Sequence, residues 1–459
     1  MRDTVRMMNP ALEGLDRTAL EALQLRRLNR LIERLQATNP FYREAWQGQV
    51  PDGPLASLDD IRRFPVITKE DLLADQEADP PYGRRLGVPV EHVWEITLSS
   101  GTSGRTQEVH AHTARDAHLR GLLHGLAFWW AGAGPGDVLA HHVGVSNSAS
   151  HGSFHRGFRA IGSMPYLIGY TGFQKRLELM ESFGLDVMYA MPSALNGLTT
   201  LCESEGGPPR ERFGALRAIV MSGEAWPVGF VERMEDAWGA RIYEGYGASQ
   251  TYGAFIMSNC EQGAVVGGKR GLLHFYEWAA LLEVLHPDTL EPVAPGEPGE
   301  LVVTLLEKEA SPLVRFRTRD KVVLMAHEDC PCGRDLRTIE AGTISRWDDM
   351  VKIKGENVFP NEVDEIIFAR PQIAEYQARV TIGDAGRDVA EIRLAFAAPG
   401  PSDRDLIERL RQELKARTNI TFELRTVPAE ELPQWTTPDV KPRRWVDQRQ
   451  ADLAASATP

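Results

Sequence analysis

The chain has 459 residues, with 51 lysines and arginines against 64 aspartates and glutamates, which gives a formal net charge of −13. This length exceeds that of one ordinary domain, so we expect a large domain and at least one smaller domain. The acidic balance argues against nucleic acid or an anionic membrane as a partner, because both bind basic surfaces. The sequence lacks both an apolar run of about 20 residues and the apolar core of a signal peptide, so we expect a cytoplasmic protein. Four cysteines in so long a chain do not indicate a disulfide scaffold.

The N-terminal part of the chain predicts two helices. Between residues 18 and 37, leucines and an isoleucine recur at helical spacing, which indicates an amphipathic helix packed on a core. Further along, PVITKEDLL predicts a helix with Thr68 as its N-cap and with Glu70 and Asp71 in its first turn.

The middle of the chain, from about residue 90 to about residue 345, alternates short apolar segments with helical segments. Examples of the apolar segments are LDVMYAM, ALRAIVMSG, GELVVTLL and KVVLMA, and FQKRLELMESFG is a helical one. This alternation predicts a doubly wound α/β body. After residue 345 the pattern changes to strand, strand, helix and strand, which predicts a small α+β unit.

A glycine-rich stretch, LSSGTSGRTQ, follows the apolar segment VWEITL. We call residues 99–105 the glycine loop; its members are Ser99, Ser100, Gly101, Thr102, Ser103, Gly104 and Arg105. The glycines allow successive N–H groups to point into one concavity and the hydroxyls add donors, which indicates a phosphate site. The alternative is an ordinary polar turn or linker, and no Walker lysine follows.

Further motifs extend the pattern along the chain. They are NPFYREAW with SLDDIRRFPVITKEDL, GEAWP (223–227), YEGYGASQTYG (243–253), PLVRFRTRD (312–320), SRWDDMVKIKGENVFP (345–360) and DVKPRRWVD (439–447). In this order they resemble the adenylate-forming (ANL) superfamily, in particular its phenylacetate–coenzyme A ligase branch, over roughly residues 20–447.

The resemblance implies an α/β fold: a large N-terminal adenylate-forming domain with layered α/β sheets, residues 1–345, and a small mobile C-terminal α+β domain, residues 346–459. It also implies ATP-dependent activation of a carboxylic acid to acyl-AMP, followed by transfer of the acyl group to the thiol of coenzyme A. The glycine loop would then hold the leaving pyrophosphate, with Arg105 where most relatives have lysine.

The resemblance also assigns nucleotide-binding residues outside the loop. Asp320 would accept hydrogen bonds from both ribose hydroxyls, and Arg346 would lie close to the nucleotide. Taken alone, Tyr246 is better explained by a core position than by a contact with the nucleotide. The remaining candidates are Gly223, Glu224 and Ala225 beside adenine, and Tyr246, Gly247, Ser249 and Gln250 after the next strand.

Lys441 is the predicted catalytic residue. By resemblance, a lysine near the C-terminus reaches the substrate carboxylate and the α-phosphate, where a preorganised cation lowers the barrier. Asp348 corresponds to the hinge of the small domain. The alternatives are a solvated surface lysine and a plain interdomain linker.

Two positions depart from the family pattern. Gln250 stands where relatives have a glutamate that binds Mg²⁺, and a neutral amide oxygen is a poorer ligand for this hard cation. Arg319 replaces the usual glycine before Asp320. These changes leave room for weaker Mg²⁺ binding, a modified activity or a specialised acceptor.

Three cysteines and one histidine form a candidate metal site. Cys260, His274, Cys330 and Cys332 have the composition of a closed tetrahedral zinc site, and similar elements occur in relatives of this branch. The alternative is a set of reduced cysteines beside a satisfied histidine.

The expected substrate is a small acid, in particular an aromatic one. Histidines are dense at His141, His142, His151 and His155, where the acid pocket is expected, and as a group they favour a polar or hydroxylated acid. Two alternatives remain. One is an adenylation enzyme that passes the acyl group to a carrier protein or an amine, or that activates another small anion. The other is a non-catalytic nucleotide-binding protein. The resemblance further implies a homodimer.

Overall fold

The computed structural model describes residues 5–47, 53–99, 107–142, 148–167, 171–326, 330–370, 372–383, 387–396, 403–432 and 444–449. Within them the α-helices are α1 (Pro10–Glu13), α2 (Arg17–Thr38), α3 (Pro40–Ala45), α4 (Lys69–Ala78), α5 (Ala114–Trp130), α6 (Ser148–Ala160), α7 (Phe173–Phe183), α8 (Pro192–Ser204), α9 (Pro209–Arg212), α10 (Val228–Trp238), α11 (Pro360–Phe368) and α12 (Asp403–Thr418).

The strands of the same residues are β1 (Glu95–Leu98), β2 (Val109–His112), β3 (Val138–His141), β4 (Met164–Leu167), β5 (Val187–Tyr189), β6 (Ala218–Met221), β7 (Arg241–Tyr246), β8 (Met257–Asn259), β9 (Val265–Val266), β10 (Lys269–Arg270), β11 (Leu272–Phe275), β12 (Ala280–Leu285), β13 (Pro298–Leu305), β14 (Phe316–Val323), β15 (Thr338–Glu340), β16 (Ser345–Arg346), β17 (Val351–Ile353), β18 (Glu356–Val358), β19 (Ile373–Ile382), β20 (Asp388–Phe396), β21 (Glu423–Thr426) and β22 (Trp445–Asp447).

The two predicted N-terminal helices are confirmed as α2 and α4. One face of α2 is buried through its leucines and Ile32, as the helical spacing indicated. Thr68 is the N-cap of α4: its side chain accepts from the N–H of Asp71, and the Asp71 carboxylate accepts from the backbone of Thr68. This reciprocal capping box satisfies two donors that the first turn would otherwise leave unpaired.

An eight-stranded sheet, in the order β15-β11-β8-β7-β6-β5-β3-β4, forms the centre of the large domain. Its strands β3 to β7 run parallel. The residues of β5 and β6 are all buried, which is the pattern of a parallel strand covered on both faces. The carboxyl ends of these strands share one edge, where ligands bind in open α/β sheets.

The predicted α/β alternation ends at β7, earlier than the sequence indicated. From β8 onward the large domain is built from antiparallel pairs, and β12, β13, β14 and β16 form a separate four-stranded sheet. GELVVTLL and KVVLMA therefore belong to this second sheet. Antiparallel neighbours need no crossover helix, so apolar runs alone do not reveal which arrangement they adopt.

The small domain has its own hydrophobic core, formed by residues from Ile353 to Phe422. Its four-stranded sheet has the order β21-β20-β19-β22, and α11 and α12 contribute buried residues. The predicted succession of strand, strand, helix and strand is confirmed as β19, β20, α12 and β21. None of the described helices has both the length and the apolar character to cross a membrane.

Charged side chains join the two domains. Arg270 of β10 forms an ion pair with Glu365 of α11, and its Nη1 donates to the carbonyls of Trp226 and Ala341, at 3.0 Å each. Arg270 is thus held from both domains at once.

Candidate functional site

The glycine loop lies between β1 and β2, which pair antiparallel with Leu98 opposite Val109. Its base is closed by two hydrogen bonds: Ser99 N–H donates to the carbonyl of Glu108 at 3.0 Å, and Ser99 Oγ accepts from Glu108 N–H at 3.1 Å. Ser99 is buried. The other predicted members, Ser100, Gly101, Thr102, Ser103, Gly104 and Arg105, lie outside the described residues.

The segment after β7 reaches the base of the glycine loop. Gln250 Nε2 donates to Glu108 Oε2 at 2.8 Å, so the YGASQ motif contacts the residue whose backbone pairs with Ser99. Glu108 has no exposed surface, whereas Gln250 is half-buried. Glu108 is not among the residues that the motifs indicate, although a carboxylate close behind a predicted phosphate loop is a signal for it.

Tyr246 and Asp320 meet where β7 and β14 approach each other. The Tyr246 hydroxyl donates to Asp320 Oδ2. Burial, and then the Asp320 carboxylate, raise the pKa of Tyr246 well above its usual value, so the hydroxyl keeps its proton. Arg346 lies opposite Asp320 in the β14–β16 pair, with its Nη1 3.6 Å from Asp320 Oδ1.

The same arginine also binds Asp348. Arg346 donates to both carboxylate oxygens of Asp348, at 2.7 Å each. Burial would raise the pKa of Asp348, but Arg346 more than offsets it and lowers the pKa. One guanidinium therefore links the predicted ribose-binding carboxylate to the predicted hinge.

The turn after β6 contains Gly223, Glu224 and Ala225. Gly223 has φ +87°, a left-handed conformation that favours glycine. Glu224 is fixed by Ser193 at the start of α8, whose N–H and Oγ donate to it at 3.0 and 2.7 Å. The turn is thereby held rigid at the carboxyl end of the parallel strands.

Gly247 stands directly after β7, where two backbone segments touch. A Cβ at this position would lie 2.0 Å from the carbonyl oxygen of Gly253 and 2.8 Å from the nitrogen of Phe255. Only glycine therefore fits without displacing the chain. Ser249, two residues further on, is half-buried.

Aromatic rings line the interior beside the ends of β3 and β5. The His141 ring lies 5.1 Å from that of Phe154 and 4.9 Å from that of His151, and the Phe154 ring lies 4.4 Å from that of Tyr189. The Tyr189 hydroxyl and Ser222 Oγ are 2.6 Å apart. This ring cluster combines apolar faces with a polar pair of hydroxyls.

The predicted metal ligands converge. Cys260, His274, Cys330 and Cys332 place one ligand atom each within 4.8 Å of one another. Cys260 Sγ and Cys330 Sγ are 3.6 Å apart, and Cys332 Sγ lies 3.6 Å from His274 Nε2. Tetrahedral zinc with ordinary bond lengths separates two sulfurs by about 3.8 Å and a sulfur and a nitrogen by about 3.6 Å, so this donor set fits the ion.

Lys441 lies outside the described residues. The chain is described again from Arg444, which binds Glu375 at 2.6 Å, and Trp445, where β22 begins beside β19. The catalytic assignment of Lys441 stays a prediction.

Comparison with known proteins gives the family. Residues 55–304 match the AMP-binding enzyme family, and residues 355–449 match the AMP-binding enzyme C-terminal domain. The phenylacetate-coenzyme A ligase of Thermus thermophilus is 29% identical over 93% of this chain and 97% of its own length. That of Aromatoleum evansii is 31% identical over 79% of this chain and 78% of its own.

A solved structure of 2-hydroxyisobutyryl-CoA ligase in the postadenylation state, in complex with R3-HIB-AMP, has the same fold. Its TM-score is 0.86 at 22% identity, and the match covers 99% of this chain and 95% of that one. The chain belongs to the AMP-binding enzyme family, which is the adenylate-forming superfamily that the motifs indicated. The expected fold, a large α/β domain followed by a small α+β domain, is confirmed.

Proposed function

We propose that the enzyme is an AMP-forming acid–thiol ligase, which converts a carboxylic acid to acyl-AMP and then to the coenzyme A thioester. The observation that carries this proposal is that the YGASQ motif contacts residues of two other motifs. Gln250 donates to Glu108, whose backbone pairs with Ser99 at the base of the glycine loop, and Tyr246 donates to Asp320. A triphosphate at the loop and a ribose at Asp320 would therefore belong to one nucleotide.

In this proposal each group has a defined task. Asp320 accepts the ribose hydroxyls, the turn at 223–225 lies along adenine, and the glycine loop holds the β- and γ-phosphates. Gln250 offers an amide oxygen to Mg²⁺, which neutralises phosphate charge when it is bound. The acid carboxylate attacks the α-phosphate, pyrophosphate leaves, and the thiol of coenzyme A then displaces AMP.

Lys441 is proposed to stabilise the charge that develops at the α-phosphate. The small domain would bring it to the site and would turn about Asp348 between the two half-reactions, with the domain boundary near residue 345. The ion pair of Arg270 with Glu365 supports the idea that the present arrangement is one defined state of the two domains.

The test is ATP–pyrophosphate exchange with a panel of aromatic acids, followed by addition of coenzyme A. Lys441→Ala is expected to lower the exchange rate by about 10²–10³-fold, the loss typical of removing a transition-state cation or donor. Lys415→Ala, which removes an exposed lysine from α12 of the same domain, is the matched control and should exchange normally. An unchanged rate in Lys441→Ala would contradict the role. Formation of a thioester supports coenzyme A as acceptor, whereas release of acyl-AMP alone favours a carrier protein or an amine.

The acid is proposed to be aromatic and to carry a polar substituent. The rings of Phe154 and Tyr189 offer apolar faces, and the hydroxyls of Tyr189 and Ser222 offer hydrogen bonds beside them. Hydroxylated benzoates and phenylacetates should therefore support faster exchange than straight-chain acids. A clear preference for an aliphatic acid would contradict this assignment.

The site formed by Cys260, His274, Cys330 and Cys332 is proposed to hold a structural Zn²⁺. It would tie the segment before β15 to β8 and β11, and four protein ligands leave no open position for catalysis. Purified protein should contain about one equivalent of zinc, and chelation should lower its melting temperature. A zinc content under about a tenth of an equivalent would end the proposal.

A homodimer is proposed from the family resemblance alone, and the cytoplasmic location stays a prediction from the sequence. Sedimentation velocity of the purified enzyme tests the oligomeric state, and a single species of about 51 kDa, the mass of one chain, would contradict it.

A further inference from the structure

Buried ionisable side chains lie beside Ser99, the first residue of the glycine loop. Glu108 is entirely buried at the base of the loop, where its backbone pairs with Ser99. His110 and Lys308, which are equally removed from solvent, are its ionisable neighbours. Burying charge in this way is costly unless each group has a partner, so the partners of Glu108 indicate what it does.

The two oxygens of Glu108 are used differently. Oε2 accepts from the amide nitrogen of Gln250 at 2.8 Å, whereas Oε1 faces the ring of His110, whose Nε2 lies 3.5 Å away.

An acceptor at this position decides how Gln250 is oriented. The NH₂ group of the amide donates to Glu108 Oε2, so the carbonyl oxygen of Gln250 faces away from Glu108. Without this hydrogen bond, Glu108 would no longer favour one of the two orientations of the amide, and the reversed orientation presents nitrogen instead of oxygen.

The backbone of Gln250 is fixed as well. The ammonium of Lys308 donates to the carbonyls of Gln250 at 3.2 Å and Thr251 at 2.8 Å. Lys308 is completely buried, and burial lowers its pKa to about 7. Both the main chain and the side chain of residue 250 are thus held by buried polar groups.

We propose that Glu108 is a positioning residue for Mg²⁺: it turns the amide of Gln250 so that its carbonyl oxygen faces the triphosphate. This inference rests on the proposed function. Residue 250 is a neutral amide, and the carboxyl group of Glu108 lies behind it, on the side of its NH₂ group. A carboxylate that accepts from a ligand's N–H group orients the ligand and strengthens its donor atom, as outer partners of metal ligands do.

Glu277 is a buried carboxylate elsewhere in the large domain, and its two oxygens accept from Arg17 at 2.8 and 2.9 Å. Its removal therefore tests the general effect of losing a buried carboxylate.

The test is Mn²⁺ binding, followed by electron paramagnetic resonance, to the full-length enzyme saturated with the non-hydrolysable analogue α,β-methylene-ATP. Glu108→Gln is expected to weaken Mn²⁺ binding by about 10- to 100-fold, the usual effect of removing an outer partner of a metal ligand. Binding of the analogue without metal should not change. Glu277→Gln removes a buried carboxylate elsewhere and should leave Mn²⁺ affinity unchanged.

The exchanged variant, Glu108→Gln with Gln250→Glu, restores one carboxylate and one amide with their places reversed. It is expected to recover Mn²⁺ binding to at least the wild-type affinity. Gln250→Glu alone brings two carboxylates together, so the melting temperature of this variant without metal should be lower than that of the wild type. Adding Mn²⁺ should raise the melting temperature of the variant by more than it raises that of the wild type.

Wild-type Mn²⁺ affinity in folded Glu108→Gln would overturn the inference, and so would a metal-free Gln250→Glu enzyme as stable as the wild type. If Glu108→Gln does not fold, the exchanged variant and Gln250→Glu decide the question. If the analogue does not bind the wild-type enzyme at all, the proposed function fails instead.

Discussion

Gly247 offers a direct test of how closely the site is packed. In Gly247→Ala the new methyl group would lie 2.0 Å from the carbonyl oxygen of Gly253, against an ordinary contact distance of at least 3.4 Å. The obstacles are backbone atoms of residues 253–255, which cannot rotate away as a side chain can. Either Gly247 or the backbone of residues 253–255 must therefore move by about 1.4 Å. Gln250 lies midway along the chain between them, so it moves as well.

The cost of this change has two parts. Overpacking of a well-packed region costs about 1–3 kcal/mol, so the melting temperature should fall. A displacement of about 1 Å in a substrate-positioning segment costs about 10²-fold in rate, so pyrophosphate exchange should fall by that factor. Gly229→Ala is the matched control, because a Cβ at Gly229 in α10 meets nothing within 4 Å. It should leave exchange unchanged and stabilise the helix by up to about 1 kcal/mol.

Thermal melting and the exchange assay, run on both variants, provide the measurement. A Gly247→Ala enzyme that melts and exchanges like the wild type would show that the two segments are not packed as described. Loss of exchange with an unchanged melting temperature would contradict the packing argument alone.

Three further predictions concern other parts of the molecule. Burial raises the pKa of Glu244 from 4.5 to about 8, so the stability of the wild-type enzyme should fall as the pH rises from about 4.5 to 8 and should level off above pH 8. Glu244→Gln should remove this dependence of the melting temperature on pH. The same dependence in the variant would contradict the raised pKa of Glu244. Glu365→Gln breaks the ion pair with Arg270, and a partly exposed pair contributes up to about 1 kcal/mol. Protease cleavage between the two domains should therefore increase a few-fold. Unchanged cleavage would mean that the ion pair does not hold the domains together. Tyr246→Phe removes a donor from Asp320 and should cost about 1.5–3 kcal/mol in unfolding free energy by denaturant titration, whereas a loss under about 0.5 kcal/mol would show the hydrogen bond to be dispensable.

Local patterns made much of the fold predictable. The helix at 17–38 and the capping box at Thr68 depend on residues a few positions apart, so the sequence contains the whole signal. The arrangement of the strands after β7 depends on which distant segments pair. Short apolar runs such as those of β12 and β13 fit parallel and antiparallel sheets equally well.

The site was predictable as far as its motifs reach. The sequence indicated Tyr246, Asp320 and Gln250, and the structure brings Tyr246 to Asp320 and Gln250 to Glu108, beside Ser99. It did not indicate Glu108 or Lys308, because a carboxylate in QEVHAH and a lysine in LEKEAS usually face solvent. Their importance comes from complete burial, which only the tertiary structure reveals.

Arg346 contacts two carboxylates that have different proposed tasks. Its guanidinium is shared between Asp320, the proposed ribose acceptor, and Asp348, the proposed pivot. A nucleotide that draws Asp320 away from this cation changes the charge balance at the pivot, and a rotation at the pivot changes the charge presented to the ribose. Linkage of this kind is reciprocal. If nucleotide binding favours one orientation of the small domain by a given free energy, that orientation strengthens nucleotide binding by the same free energy.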